Sequence, residues 1–393
     1  MGEKAVVSIV STKGHSFPQI AQAVREAVDL VGGLEGLFSP RDLVLIKPNL
    51  VAVPPHRLNG AVTRWEVCRA LADLVREMGG RPVIADSAAV GVDTEQVIQA
   101  TGYACLREKG YQVVDLKAQP RVKWPLPGGK VLAELTSFDL VKEAKAIISV
   151  PVMKAHDQTE VTLSLKNLKG LIDDRDKRHL HQVGVQQGVL DLYRAFRPCL
   201  AVIDGTFCQE GLGPVHGRTI EMNLILAGRD LVAVDAVAGK IMGFEAEEVL
   251  ITRWGGEAGL GKMRLEEIEL RGRPWQEVHR RFLRLEEDRR VEVEELRLLH
   301  APGTCTGCRN TVLSALFDLK RAKQLDHLRG LTIVTGPEVE IPADTPSEQL
   351  IAVGICVPPD RRGHRFVSGC PPNNSWVVEE VVRGRKKARL ARD

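Results

Sequence analysis

From residue 5 to about residue 243 the sequence alternates between short apolar runs and longer amphipathic stretches. Residues 5–10, 42–46, 82–85, 111–116, 146–150, 199–203 and 224–227 have the length and apolar density of strands covered on both faces. Between them, residues 17–31, 63–78, 94–109, 138–144, 185–196 and 230–242 carry apolar side chains at helical spacing. Glycines punctuate the ends: Gly32–Gly33, Gly79–Gly80, Gly110 and Gly243 follow the last apolar position of their helices, and Thr63 stands where an N-cap is expected. Residues 119–129, with their prolines, read as an excursion, and residues 173–181 as a charged loop. Strands that alternate with helices must be joined by crossovers, so the pattern specifies an α/β fold with a mostly parallel open sheet flanked by helices.

That pattern accounts for residues 1–271 of a 393-residue chain, more than one core usually serves. Residues 272–300 are densely charged and read as a connector. Residues 301–393 form a smaller C-terminal α/β domain, with strands at 331–334 and 350–353 and a helix around Trp376. Six basic residues between Arg383 and Arg392 make a solubilising tail.

Net charge is +3 and aromatics are 4% of the chain, which argues against a nucleic-acid partner. No apolar run reaches the roughly 20 residues of a membrane-spanning helix. The N-terminus enters a strand-like run with no signal-peptide layout, so the expected location is cytoplasmic. Eight cysteines in such a length are too few for a disulfide framework, and in a reducing compartment their spacing reads as metal or redox chemistry.

The polar residues of the first domain share one address, the segment just past the C-terminal end of a strand. Lys47 and Asn49, Asp86 and Ser87, Lys154 and His156, and Asp204 all fall there. Open α/β sheets bind ligands at that edge, where helix N-termini add positive potential. Lys166, Asn167 and Lys169 follow in a segment whose two lysines share a face if it is helical. Lysines and asparagine suit a carboxylate or phosphate, so Lys47, Asn49, Asp86, Ser87, Lys166, Asn167 and Lys169 are expected to bind a small anionic substrate. Lys154, His156 and Asp204 are the catalytic candidates, and His179, His181 and His216 are, with His156, candidates for proton transfer near neutral pH. A solvated loop of lysines is the plainer alternative. An aspartate after a strand also often caps the next helix, and Asp235, inside an apolar helix, could pair with a lysine. Gly211, Gly213 and Gly217 lack the spacing of a dinucleotide-binding loop.

Cys305 and Cys308 form a Cys-x-x-Cys pair, Cys356 directly follows a strand, and Cys370 precedes a proline. Four thiolates suffice for an iron–sulfur cluster, 4Fe–4S in the first instance, or for a structural zinc. Only one Cys-x-x-Cys is present where zinc ribbons use two, which favours the cluster; unliganded or redox thiols are the third option. Cys68, Cys105 and Cys199 fall in apolar patterns and read as core, and Cys208 follows Asp204.

The order Lys47-Pro48-Asn49, Asp86-Ser87, Lys154-Ala155-His156, Lys166-Asn167-Leu168-Lys169-Gly170, Asp204-Gly205, Glu210-Gly211-x-Gly213-Pro214 and Val234-Asp235-Ala236-Val237 resembles the domain of unknown function 362 family over residues 5–260. Members of that family are often joined to ferredoxin-like iron–sulfur modules, which implies the same cofactor for Cys305, Cys308, Cys356 and Cys370. This chain lacks the twin ferredoxin repeat. Gly369-Cys370-Pro371-Pro372 resembles the cluster-ligand turn of the small subunits of hydrogenases and of respiratory complex one. The resemblance assigns no catalytic role to any residue. The expectation is therefore an iron–sulfur oxidoreductase that exchanges electrons with a redox partner protein and acts on a small anion at the strand ends. Two alternatives stand beside it. One is a non-redox lyase or racemase-like enzyme with His156 as base and a lysine stabilising an oxyanion; the other is a cluster carrier or scaffold with no chemistry of its own.

Overall fold

The computed structural model of the chain describes residues 3–288, 291 and 293–390, with two compact units. Arg289, Arg290 and Arg392 of the charged segments lie outside the described residues. The first unit comprises residues 1–156, 161–177 and 186–283; the second comprises 157–160, 178–185 and 284–393. The boundary therefore falls at 283/284, and the second unit takes two short segments from within the first.

In chain order the elements begin β1 (Ala5–Ser11), α1 (Phe17–Asp29), β2 (Leu43–Pro48), α2 (Trp65–Glu77), β3 (Arg81–Asp86), α3 (Thr94–Ala100), α4 (Ala104–Glu108) and β4 (Gln112–Asp115). They continue with β5 (Arg121–Pro125), β6 (Glu134–Phe138), α5 (Asp139–Glu143), β7 (Ala146–Val150), β8 (Val152–His156), β9 (Glu160–Thr162), α6 (Asp174–Val183) and α7 (Val185–Phe196). Next come β10 (Leu200–Glu210), β11 (Arg218–Gly228), α8 (Leu231–Ile241), α9 (Leu250–Glu257), β12 (Ile268–Gly272), α10 (Trp275–Val278) and α11 (Leu285–Asp288). The chain closes with β13 (Arg297–His300), α12 (Thr306–Arg321), β14 (Thr332–Thr335), β15 (Leu350–Val353), β16 (Phe366–Val367) and α13 (Asn374–Leu390).

The large sheet has the order β12-β1-β11-β10-β7-β2-β3-β4, with β8 paired to β10 and β9. Along that path β11 is antiparallel to both neighbours and the other pairs are parallel. The C-terminal ends of β1, β2, β3, β7 and β10 therefore share one edge. Side chains alternate along each strand, so both faces bury apolar residues. On β10, Leu200 and Val202 join the core under α1 and α2, while Ala201 and Ile203 join the core under α8. α8 is buried nearly all round. The mostly parallel α/β architecture expected from the alternation is the one observed.

Several local expectations are corrected. The helix over 94–109 is two helices, because Gly102 turns the chain with φ +83° against the Trp65 ring. Arg64, not Thr63, occupies the N-cap of α2; the Thr63 hydroxyl instead donates to Val150 O. The proline-rich excursion is the antiparallel hairpin β5–β6. The charged stretch after Ile172 is the helix α6 rather than a loop. Pro151 does interrupt pairing, but β8 resumes at Val152 and runs parallel to β10, so Lys154 and His156 lie on a strand. β10 is 11 residues long and continues through Asp204 to Glu210; the glycines at 211, 213 and 217 belong to the turn into β11.

The second unit is built on a four-stranded parallel sheet, β13-β14-β15-β16. α12 and α13 cover one face, through Val312, Leu316, Leu319, Val377 and Val381.

Candidate functional site

Lys47 ends β2 and Asp86 ends β3, neighbouring parallel strands, and both side chains are buried. Their ion pair is 2.7 Å long. Burial pushes the Lys47 ammonium down from its ordinary value, and the Asp86 carboxylate opposes that shift. The remaining lone pairs and protons are satisfied. Asp86 accepts from the backbone N–H of Leu50 and of Ser87, and Lys47 donates to Pro48 O and to Asn167 Oδ1. Asn167 in turn donates to Lys47 O and Ser149 Oγ, tying the segment after β9 to the strand ends.

That segment arrives as a 3-10 turn over Lys166–Leu171, in which residues three apart are eclipsed. Lys166 and Lys169 therefore share a face, both half-buried. Gly170 lies directly on the ion pair, since a Cβ there would stand 1.9 Å from Asp86 Oδ1. Ser87 Oγ donates to Gly170 O. From the other side α8 fixes the start of the turn: Asp235 accepts from Ser164 N, Ser164 Oγ and Leu165 N. Asp235 is thus an anchor for a loop and not the partner of a lysine. Burial pushes its carboxyl up to about 7.

Lys154 is fully buried on β8. Its Nζ donates to Asn49 Oδ1 at 2.9 Å, Ala61 O at 2.5 Å and Pro214 O at 3.2 Å. Three neutral acceptors match the three N–H bonds of an ammonium. Burial, with the nearby Lys47 charge adding to it, pushes the amine down to about 7, while Asp86 acts the other way. An amine held there exchanges its proton near neutral pH. Its cover comes from the loop after β2 and from the β10–β11 turn. Gly213 seats that turn so closely on β8 that a Cβ would meet Ala155 O at 1.9 Å.

The structure thus gathers Lys47, Asn49, Asp86, Ser87, Lys154 and Asn167 into one hydrogen-bonded network. Asp204 is buried on β10 and accepts from Arg64 N, Thr206 N and Thr206 Oγ1. Burial pushes its carboxyl up. It organises the entry to α2 and makes no direct bond to Lys154. His156 is buried at the end of β8. Two residues were not read from the sequence. Arg64 reaches across to the β1–α1 loop, donating to His15 O. Lys177 of α6 is buried and donates to Ser87 O, Ser87 Oγ and Ala88 O beside Asp174. Burial pushes Lys177 down to about 8.

In the second unit Cys305 is the N-cap of α12 and Cys308 lies in its first turn. Cys356 follows β15 and Cys370 follows β16, so all four thiols lie beyond the C-terminal ends of parallel strands. Hydrogen bonds from the Cys308 thiol and from the backbone N–H groups of Cys308 and Gly307 lower the Cys305 thiol to about 6. Burial and the Cys305 charge raise Cys356, and together with Cys356 they raise Cys370 to about 11. Cys308 is raised as well, by its bond to Cys305, by burial and by the other two thiols. The four are therefore close enough to feel one another's charge. Among the described residues, no three His, Cys, Asp or Glu side chains stand in a metal-holding arrangement. No disulfide links the cysteines.

The fold and these sites define an open α/β protein with a buried polar strand-end cluster and a separate four-thiol unit. Residues 44–240 match the family described as Domain of unknown function (DUF362), and the chain belongs to that family. The matched region contains the whole strand-end network. The thylakoid-associated protein sll1697 of Synechocystis sp. is 30% identical over 249 residues, 60% of this chain and 74% of the relative. The lactate racemase apoprotein from Thermoanaerobacterium thermosaccharolyticum is 12% identical with a TM-score of 0.40, over 61% of this chain and 57% of that one. Among the described residues no helix is long and apolar enough to cross a membrane.

Proposed function

We propose that the chain is an iron–sulfur-binding protein, a redox-linked enzyme whose α/β unit takes a small oxyanion at the strand-end network. The observation that carries this reading is that four thiols from three loops lie beyond the C-terminal ends of the strands of one parallel sheet, with the Cys305 charge raising Cys308, Cys356 and Cys370. Thiolates repel; a soft cation group removes that repulsion, and four of them match the ligand count of a 4Fe–4S cluster or of zinc. Cys305, Cys308, Cys356 and Cys370 would hold the group, and bound iron–sulfur supplies one-electron transfer to a redox partner. A reducing compartment such as the cytoplasm suits free thiols of this kind.

In the α/β unit, Lys47 and Lys154 face a single carboxylate, Asp86. That surplus of positive charge supports an anionic ligand. Lys154 is the proton-transfer group of the reading, and its exposure to substrate requires the β10–β11 turn, whose Pro214 O it bonds, to lift from it. Asn49 and Asn167 supply orienting amides.

The test is iron, sulfide and zinc analysis with electron paramagnetic resonance on anaerobically prepared protein, beside a Cys305→Ser/Cys308→Ser variant. About four irons and four sulfides per chain, lost in the variant, are expected. A colourless protein with four free thiols after anaerobic reconstitution overturns the proposal. One zinc and no iron would make the group a structural staple and return the chemistry to the non-redox alternative.

A further inference from the structure

A second set of unsatisfied polar atoms lies away from the lysines, past the end of β1. Thr12 and Arg64 are 8% and 4% exposed, yet Thr12 Oγ1 and Arg64 Nη1 are buried atoms with no hydrogen-bond partner among the described residues. His15 Nδ1 and Asn223 Oδ1 are in the same condition. These residues form one connected group. Thr12 N donates to Asn223 O, Asn223 Nδ2 and His15 Nε2 share Glu221 Oε1, and Arg64 Nη2 donates to His15 O. The Phe207 ring packs against both residues, 4.7 Å from the His15 ring and 5.6 Å from the Arg64 guanidinium.

Buried polar groups are seldom left unpaired, and several on one connected group mark a place where partner atoms are missing. Arg64 and Arg57 both bind Glu66, so the two guanidiniums face one carboxylate there. From Arg64, Asp204 accepts the backbone N–H and not the guanidinium. His15 is matched by Glu221. The 13-residue helix α1 begins immediately after this loop and directs its positive end toward it.

We propose that Arg64 Nη1, Thr12 Oγ1 and His15 Nδ1 form an oxyanion subsite, for a carboxylate or phosphate group, at the C-terminal end of β1. It goes beyond the lysine network and uses none of its residues. The guanidinium donates to one oxygen of the anion, the threonine hydroxyl to a second, and the imidazole donates through Nδ1–H while its Nε2–H stays on Glu221 Oε1, both ring nitrogens then carrying a proton. Phe207 keeps the guanidinium and imidazole from collapsing onto each other.

The full chain is titrated calorimetrically with sodium phosphate and, separately, with sodium acetate, at constant ionic strength and neutral pH. Saturable binding of at least one ion is expected, and which ion binds decides between phosphate and carboxylate. Thr12→Val and Arg64→Lys should each weaken it about tenfold, the loss of one charge-assisted hydrogen bond. Thr12→Val changes no charge and little volume, so it remains informative if the Arg64 variant does not fold. Absence of saturable binding by either ion overturns the subsite. So does binding that survives Thr12→Val and is abolished by Lys154→Met; that outcome places the anion at the lysines and leaves the proposed function standing.

Discussion

Lys47 and Asp86 show why the residues of this site are not interchangeable with ordinary surface charges. Both are buried, and Asp86 is the carboxylate that pairs with the Lys47 ammonium, at 2.7 Å. Asp86→Ala therefore leaves an ammonium buried among neutral groups, and a loss of about 3–5 kcal/mol is expected from chemical denaturation. Replacing both, as Lys47→Met with Asp86→Leu, should recover part of that loss, since the desolvation cost disappears with the charges. Lys154 makes a different prediction. Its folded-state amine lies at about 7, below the ordinary 10.5. The unfolded chain then binds more protons between these values, so Lys154 costs stability below about 7, and that cost fades as pH rises toward about 10.5. Urea unfolding of the wild type and Lys154→Met at pH 6, 8 and 10 should show the wild type gaining on the variant with pH. A constant difference would mean that the three acceptors hold the ammonium at its ordinary value.

At the scale of elements, the site depends on how closely backbones approach. Gly170 is required by contact rather than by φ, because a methyl group there meets Asp86 Oδ1 at 1.9 Å. Gly170→Ala must displace the 3-10 turn or the ion pair, and a destabilisation of about 1–3 kcal/mol with faster amide exchange over residues 164–172 is expected. Asp235→Asn tests the anchor from α8: one carboxylate oxygen becomes an amide donor facing the N–H of Ser164 or of Leu165, so exchange over the same residues should rise while β2 and β3 stay protected. Lys47, Asn49 and Asp86 could be read from the sequence because strand ends are where polar residues interrupt apolar runs. The sequence hid β8 because Pro151 breaks the pairing register, and a strand that resumes after one residue looks like a loop. It hid the second half of β10 because Asp204-Gly205 mimics a strand end, whereas the chain continues through an irregularity between Gly205 and Phe207. α6 was missed for the opposite reason. Its charged residues have no apolar stripe, and its inward face is largely Lys177 and Leu180.

For the molecule as a whole, the boundary at 283/284 falls inside the connector read over residues 272–300, whereas the two interior segments of the second unit were not read from the sequence. Residues 157–160 and 178–185 belong to it although about a hundred residues or more separate them from the rest. No local pattern announces this, because contact partners that distant leave no periodicity. Their role is visible at Cys370. Its N–H donates to His181 O, its carbonyl accepts from Val185 N, and Gln158 Nε2 donates to Pro372 O and Thr311 Oγ1. The turn that carries the fourth cysteine is thus fixed by residues a C-terminal fragment would lack. A fragment of residues 284–393 should keep α12 and the parallel sheet, whose contacts are internal, but lose order at residues 369–372. Its nuclear magnetic resonance spectrum is expected to show dispersed sheet resonances with exchange-broadened signals at that turn. Iron or zinc uptake per chain should fall well below that of the full protein. A fragment that binds metal as the full chain does would show that the Cys370 turn holds its shape without His181 and Val185, and that the two interior segments are passengers of the second unit.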